Sequence, residues 1–389
     1  MIETKLDNLK IAIVYDRVNK FGGAERVLLT LHEMFPNAPL YTSIYDPKKT
    51  PWANVFPKIY TSFLQKIPVL KNYHELMGWL MPVAFEQFDF SEYDLVISVT
   101  SEAAKGIITG TNTLHVCYML TPTRYLWSGY DEYFKNKILK LISFPFINYL
   151  KFWDKIAAQR PDVLISISSE VKNRIKKYYD RDSEIIFPPV ETIRSHRKKL
   201  LLRGPSAASH NFFDDTYLIV SRLVKYKKVD LVIDVFNGLK LPLVIVGTGS
   251  EEFRLKLKAK KNITFLGNIT DNELAKVYQN AKAFLMPQNE DFGITSVEAQ
   301  SFGVPVIAYR KGGALDTVID GKTGIFFNEQ NKASLMSAIA KFDTISFNSG
   351  YLITNAKNFS KENFKGRLQR SLVRNYSSWR GGYPSLASK

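Results

Sequence analysis

Short β-branched apolar runs alternate along this chain with amphipathic stretches of helical period, and the alternation starts twice. Lys10-Ile-Ala-Ile-Val-Tyr15 has the length and branching of a buried strand, and a glycine-bearing turn leads from it into a helix over Val27–Met34. Leu40–Tyr45, Asp94–Val99, Leu114–Tyr118, Asp162–Ile167 and Glu184–Phe187 read as further strands. Helices are expected over 135–156 and Ser169–Tyr179, and the aromatic-rich stretch Lys58–Phe90 reads as partly helical. The second run places strands at Tyr217–Val220, Leu243–Val246, Ile263–Leu266, Ala283–Pro287 and Val304–Tyr309. Its helices fall at Asp230–Phe236, Glu251–Lys258, Asp271–Asn280 and Ile294–Phe302, and a basic helix over Phe359–Asn375 closes the pattern. Strand–helix alternation of this kind predicts α/β domains built on parallel sheets.

Residues 191–214 interrupt the alternation with Arg194, His196, Arg197, Lys198, Lys199 and Arg203, followed by Gly-Pro-Ser-Ala-Ala-Ser, which is linker composition. The expected organisation is an N-terminal domain over 1–190, a basic linker over 191–214 and a C-terminal domain over 215–355. A C-terminal helix and tail over 356–389 follow, and one arrangement packs them back on the N-terminal domain.

Composition narrows the function classes. The single cysteine, Cys117, excludes an internal disulfide and any multi-cysteine metal site. Residues 1–9 are polar, without the apolar core of a secretory leader, and no run reaches the roughly 20 apolar residues of a membrane span. The expectation is a protein that is soluble or bound at a surface. A net charge of +16 calls for an anionic partner or a solvated basic surface. No zinc-finger spacing, basic zipper or RNA-binding aromatic motif accompanies the charge, so no nucleic-acid partner is predicted. Basic residues interleave with aromatics over 58–81 and 135–155, a mixture that suits an anionic membrane surface as well as an ordinary packed helix.

The candidate chemistry lies after the apolar runs, where open α/β sheets bind ligands. Glu290 and Glu298 are eight residues apart with Gly293 between them, at a strand-to-helix turn whose N–H groups and dipole favour an anion. Ser221-Arg222-Leu-Val-Lys-Tyr-Lys227 supplies Arg222 as a planar donor and Lys227 as a mobile charge, both suited to a diphosphate. Gly247 and Gly249 allow close backbone approach, and Gly267-Asn268 ends a strand where a base fits. In the first domain, Gly22 and Gly23 sit in the first turn, where a tight turn needing positive φ accounts for them equally well. Glu102 and Lys105 follow the third strand. Arg124, Tyr125 and Trp127 follow the fourth, as a phosphate grip and sugar-stacking rings or as a rigid packed loop.

These residues give the chain a resemblance to the retaining glycosyltransferases of family four, covering roughly residues 10–345. It is similar to the mannosyltransferase-like branch that builds bacterial surface polysaccharides. The resemblance rests on Gly-Gly-Ala-Glu-Arg-Val at 22–27, Tyr-Asp-Leu-Val-Ile-Ser at 93–98 and Thr-Pro-Thr-Arg-Tyr-Leu-Trp at 121–127. Its specific part is Ser-Arg-Leu-Val-Lys-Tyr-Lys at 221–227 together with Glu-Asp-Phe-Gly-Ile-Thr-Ser-Val-Glu at 290–298.

The resemblance implies the GT-B arrangement, two Rossmann-like doubly wound domains facing across a cleft. It implies Glu298 on the nucleotide ribose and Glu290 on the transferred sugar. Arg222 and Lys227 would neutralise the leaving diphosphate, helped by the backbone N–H groups of Gly293, Ile294 and Thr295. It also implies front-face transfer with retention, no metal and no cofactor beyond a GDP- or UDP-linked sugar. The expected reaction moves a hexose, mannose from GDP-mannose foremost, to a glycolipid or polyprenyl-diphosphate-linked acceptor. The expected location is cytoplasmic, peripheral on the inner face of the cell membrane. Two positions depart from the branch: Leu120 stands where a histidine is common in Tyr118-Met-Leu-Thr-Pro122, and Glu102 where Ser-His is common.

Three other readings compete. A metal-dependent single-Rossmann transferase needs Asp-x-Asp at a strand end, and Asp180-Arg-Asp182 falls between a helix and a strand instead. A GT-B-like epimerase would share the fold and release free sugar. A non-catalytic nucleotide-sugar or glycan-binding subunit would not require the full set of Glu290, Glu298, Arg222 and Lys227.

Overall fold

The computed structural model describes Leu6 and residues 8–67, 78–130, 137–191 and 215–382 of the 389-residue chain. The linker 191–214, apart from Glu191, and part of the 58–81 segment lie outside the described residues. The chain divides into two compact units, Met1–Phe187 with Phe364–Lys389, and Pro188–Asn363.

In the first unit the strands are β1 (Ile11–Tyr15), β2 (Leu40–Thr42), β3 (Ile59–Thr61), β4 (Leu95–Thr100), β5 (Leu114–Met119), β6 (Val163–Ser166) and β7 (Glu184–Ile185). Its helices include α1 (Gly23–Met34), α2 (Met81–Glu86), α3 (Lys137–Ala157) and α4 (Ser169–Tyr179). The strands form one parallel sheet in the order β3-β2-β1-β4-β5-β6-β7.

The second unit holds β8 (Thr216–Val220), α5 (Val229–Leu239), β9 (Leu243–Val246), α6 (Glu252–Lys258), β10 (Ile263–Gly267), α7 (Asp271–Gln279) and β11 (Ala281–Met286). It continues with α8 (Ile294–Ser301), β12 (Val306–Tyr309), α9 (Ala314–Thr317), β13 (Gly324–Phe327), α10 (Lys332–Phe342) and α11 (Ser349–Lys357). Its parallel sheet runs β10-β9-β8-β11-β12-β13. Both units are therefore α/β and Rossmann-like. In each sheet the strand order reverses at one point, between β1 and β4 in the first and between β8 and β11 in the second, and such points open ligand crevices at the carboxyl ends of strands.

The period of two along each strand explains why both sheet faces are covered. On β8, Tyr217 and Ile219 enter one apolar cluster while Leu218 enters the other; on β9, Leu243 and Ile245 oppose Val244 and Val246 in the same way. A strand whose every residue is buried must have helices on both faces. Local chemistry sets the helix starts. Ser168 caps α4 by accepting the Val171 N–H, and Thr270 and Glu273 form a reciprocal capping box on α7.

Three expectations are corrected. The strand expected over Leu40–Tyr45 stops at Thr42, leaving Tyr45 in a single bridge to Val18. The partly helical stretch after Lys58 opens with an edge strand, β3, where Tyr60 stacks on Tyr41 with ring centroids 4.6 Å apart. The closing helix expected over Phe359–Asn375 runs further, as α12 (Lys361–Gly382), and the unexpected α11 precedes it, parted from it where Val190 bridges Ser360. From Phe364 onward α12 belongs to the first unit: the Phe364 ring meets Tyr118 edge-on, Lys365 pairs with Glu33 at 2.7 Å, and Arg374 pairs with Glu184 at 2.6 Å.

Candidate active site

The second unit gathers its candidates where the strand order reverses. Arg222 and Lys227 follow β8, and Glu290 follows β11, its neighbour across the reversal. The two loops meet: Lys227 Nζ is paired with Glu290 Oε1, and Gln288 Nε2 donates to the same oxygen at 2.7 Å. Arg222 Nη2 donates to Tyr226 Oη at 2.9 Å, and the Lys227 ammonium stands 5.0 Å from the centre of the Tyr226 ring. Tyr226 thus touches both cations, a role that its position inside the basic run did not reveal.

Gly293 caps α8 with φ +90°, a left-handed conformation that favours glycine, and a Cβ there would lie 2.9 Å from Met286 Sδ. The first N–H groups of α8, at Ile294 and Thr295, have no acceptor within the helix, and its dipole adds partial positive charge. The helix is pinned from below: Ser296 Oγ donates to Gly293 O at 2.8 Å, and Gln300 Nε2 to Thr317 O at 2.9 Å. Glu298, buried one turn in, accepts from Tyr278 Oη at 3.1 Å. A carboxylate fixed in this way presents a rigid acceptor to a hydroxyl-bearing ligand.

The flanking glycines divide. A Cβ at Gly247 or Gly249 would collide with the backbone of Ser221 or Leu223, so these glycines are required where the β9 loop packs on the β8 loop of the same unit. The close approach expected of a ligand at these glycines is made here by the protein's own backbone. Gly267 has φ +64°, a Cβ there would meet only Thr248 Cγ2, at 4.0 Å, and its carbonyl accepts the Gly247 N–H at 2.8 Å. Asn268 Oδ1 lies 3.4 Å from Thr248 Oγ1. Sequence reasoning missed Gly312 and Gly313. Side chains there would collide with Asn289, Glu290 and Phe292, and the Gly313 N–H holds the Glu290 carbonyl at 2.8 Å. A glycine pair three residues after β12 was the available signal.

In the first unit, Asp16 at the end of β1 is the hub. It accepts from Thr100 Oγ1 and from the N–H groups of Ser101, Ala103 and Ala104 at 2.7–2.9 Å, which locks the turn after β4. Gly22 and Gly23 lie at the start of α1 without positive φ, so the tight-turn explanation fails; Gly22 is fully extended. Glu102 pairs with Arg17 at 2.5 Å and accepts from Tyr125 Oη at 2.8 Å. Burial raises the Glu102 carboxyl above its ordinary range, against the pull of Arg17.

Lys105 and Trp127 come together away from Glu102's carboxylate, around Asp154. Lys105 Nζ pairs with Asp154 Oδ1 at 2.5 Å, and its remaining protons serve Glu102 O and Thr123 Oγ1. Trp127 Nε1 and Tyr179 Oη each donate to Asp154 Oδ2 at 2.7 Å. With Lys105 1% exposed, this network is internal scaffolding, in place of the ligand contact expected of Lys105. Arg124 is half-buried at the start of the turn that Trp127 closes.

Asp180 and Asp182 are exposed, pair with Lys176, and precede β7, so they lie away from the carboxyl ends of the strands. Cys117 is buried, and burial pushes its thiol up to about 12, which leaves it inert as a nucleophile.

Comparison with known proteins follows this geometry. Residues 208–359 match the family described as "Glycosyl transferases group 1". The chain is 25% identical over 387 residues to "Alpha-1,3/1,6-mannosyltransferase ALG2" of Dictyostelium discoideum, covering 82% of this chain and 86% of that one. It is 25% identical over 372 residues to "Glycogen synthase" of Thermotoga maritima, covering 87% of this chain and 62% of that protein. It is 26% identical over 217 residues to "Uncharacterized glycosyltransferase MJ1178" of Methanocaldococcus jannaschii, covering 54% and 58%. The chain thus spans about three fifths of the length of several curated relatives it matches.

Among solved structures, Anabaena Alr3699/HepE in complex with UDP aligns with a TM-score of 0.64 at 18% identity, covering 94% of this chain and all of that one. WaaG, "a glycosyltransferase involved in lipopolysaccharide biosynthesis", aligns at 0.58 and 17%, covering 96% and 100%. The fold is that of these glycosyltransferases, and residues 208–359, which hold the whole second sheet, match the glycosyl transferases group 1 family.

Proposed function

We propose that the protein is a metal-independent, retaining hexosyltransferase. It would take mannose from GDP-mannose to a glycolipid or polyprenyl-diphosphate-linked acceptor at the cytoplasmic face of a membrane. The observation that carries the proposal is that Lys227 reaches Glu290 across the reversal of strand order in the second sheet, with Arg222 on the same loop as Lys227 and Glu298 on the helix that follows Glu290. Two cations and a helix N-terminus suit a diphosphate, while two held carboxylates suit ribose and sugar hydroxyls. Relatives named as mannosyltransferases, including "O-antigen chain mannosyltransferase C" of Escherichia coli, support the choice of sugar.

In the proposed step the bond from the anomeric carbon to the leaving phosphate oxygen breaks and the acceptor oxygen bonds to that carbon on the same face. The acceptor proton passes to the leaving phosphate. Negative charge grows on the diphosphate as this happens, and Arg222, the α8 N–H groups and Lys227, once shared with or released from Glu290, would receive it. The first unit would hold the acceptor, with Glu102 and Tyr125 as candidate contacts, their partners Arg17 and each other fixing them in place.

Thermal stabilisation by a panel of GDP- and UDP-sugars tests the donor assignment. GDP-mannose should raise the melting temperature of the wild type and leave Glu298→Ala unmoved. Stabilisation by UDP-sugars alone would replace the base and sugar proposed, and stabilisation of both proteins alike would remove Glu298 from the site.

A further inference from the structure

Helix α3 is amphipathic in an unusual sense, because the face turned to solvent is also apolar. Ile147, Leu150, Trp153, Asp154 and Ala157 are buried against the first unit. Leu141, Pro145, Tyr149, Phe152 and Ile156 follow one another at spacings of four, four, three and four, which places them on a single stripe. All are exposed, Ile156 by 43% and Leu141 by 76%, and Phe144 and Phe146 flank the stripe, each more than half exposed. Isolated apolar side chains on a surface need no explanation, but a contiguous aromatic stripe marks an interaction surface.

Charge identifies what covers it. Lys140 and Lys151 stand 4.8 and 4.6 Å from the centre of the Tyr130 ring, and Lys155 lies 5.6 Å from that of Trp127, so ammonium groups border the stripe. The helix has one acidic residue, Asp154, and it is buried on the opposite face in its pair with Lys105. Among the described residues of α3 the border is cationic with no exposed acid, which complements an anionic surface and repels a second copy of a chain whose net charge is +16. From Leu141 to Ile156 the stripe runs about 22 Å at 1.5 Å per residue, and among the described residues no helix is long and apolar enough to cross a membrane.

We infer that α3 lies in the plane of an anionic phospholipid surface, its stripe sunk among the headgroups and Lys140, Lys151 and Lys155 contacting lipid phosphates. This deepens the membrane location in the proposed function by naming the surface that docks, and it is tested apart from transfer, since lipid binding needs neither donor nor acceptor.

Flotation of the full chain with vesicles of phosphatidylcholine, alone or mixed with phosphatidylglycerol, tests the inference. The wild type should float with the anionic vesicles and remain behind with the neutral ones. Each lysine neutralised should weaken partitioning about fivefold, so Lys151→Gln with Lys155→Gln should lose roughly 25-fold. Phe152→Ser, at a position with little packing to lose, should reduce flotation while its thermal melt matches the wild type. No flotation with anionic vesicles, or flotation unchanged in both variants, overturns the inference. A concentration-dependent dimer abolished by Phe152→Ser, without vesicle binding, would overturn it in favour of self-association.

Discussion

Replacing Glu290 by glutamine separates diphosphate binding from turnover. The Lys227 ammonium is paired with the Glu290 carboxylate, and the two side chains are only 13% and 15% exposed, so water screens the pair incompletely. A hydrogen bond to a charged group in such a setting contributes about 1.5–3 kcal/mol. A diphosphate reaching Lys227 must displace or share that carboxylate. Glutamine keeps the shape and the Gln288 contact region while removing the competing charge. At the low end of the range, about 1.5 kcal/mol, nucleoside diphosphate should bind Glu290→Gln roughly tenfold more tightly than wild type. Turnover should move the other way, by about 10²–10³-fold, because the carboxylate lost is the one proposed to face the transferred sugar. Calorimetric titration of GDP and UDP into wild type, Glu290→Gln, Lys227→Ala and the double variant measures the coupling. Lys227→Ala should weaken binding, and in its background the gain from Glu290→Gln should vanish. If Glu290→Gln binds no tighter than wild type, or the gain survives without Lys227, the ammonium is not the phosphate's partner and the reasoning fails.

Three further outcomes follow from the geometry. Asp154→Ala strands a buried ammonium and removes four hydrogen-bond acceptances, so it should destabilise the first unit by about 3–5 kcal/mol. All five tryptophans lie in that unit, so urea unfolding followed by tryptophan fluorescence reports on it alone, and a loss below about 1 kcal/mol would show the network to be idle. Burial, aided by Arg181 and Arg160, lowers the His115 imidazole from 6.5 to about 3. The unfolded chain therefore takes up the proton first, and stability that is complete above pH 6.5 falls as pH falls, by about 2 kcal/mol at pH 5. His115→Gln should remove that share of the difference between pH 7.5 and pH 5, and an unchanged acid slope would refute the assignment. Gly293→Ala forces a side chain into left-handed backbone against Met286 and should cost the second unit about 1–2 kcal/mol. It should also weaken GDP binding, and full binding would detach the start of α8 from the donor.

Elements with an unambiguous period were legible in the sequence. Leu243–Val246 and Ser169–Tyr179 were read at the boundaries the structure has, the first as a four-residue apolar run and the second as a helix. What escaped was short or compound. Three residues of β3 sit in an aromatic stretch with no alternation to count, and β13 begins on a glycine that is there because Val306 passes close by. The donor candidates were legible because each follows an apolar run, and strand ends on one side of a parallel sheet converge by topology alone. The partners of the first-unit candidates were not. Lys105 finds Asp154 49 residues away, on the buried side of α3, and no local spacing announces that pairing. Nor could sequence distinguish a glycine against which the chain itself packs from one it leaves uncrowded, which is the difference between Gly247 and Gly249 on one hand and Gly267 on the other.

The measurement closest to the central claim is release of nucleoside diphosphate from GDP-mannose, with and without a polyprenyl-diphosphate-linked glycan, by wild type and by Arg222→Ala. Release that requires the glycan, matches mannose gained by it, and falls at least about 100-fold in the variant is the predicted result. Tight donor binding with no release in the presence of the glycan would contradict it and leave a binding subunit. Release of free sugar without the glycan would contradict it too, in favour of an epimerase-like reaction.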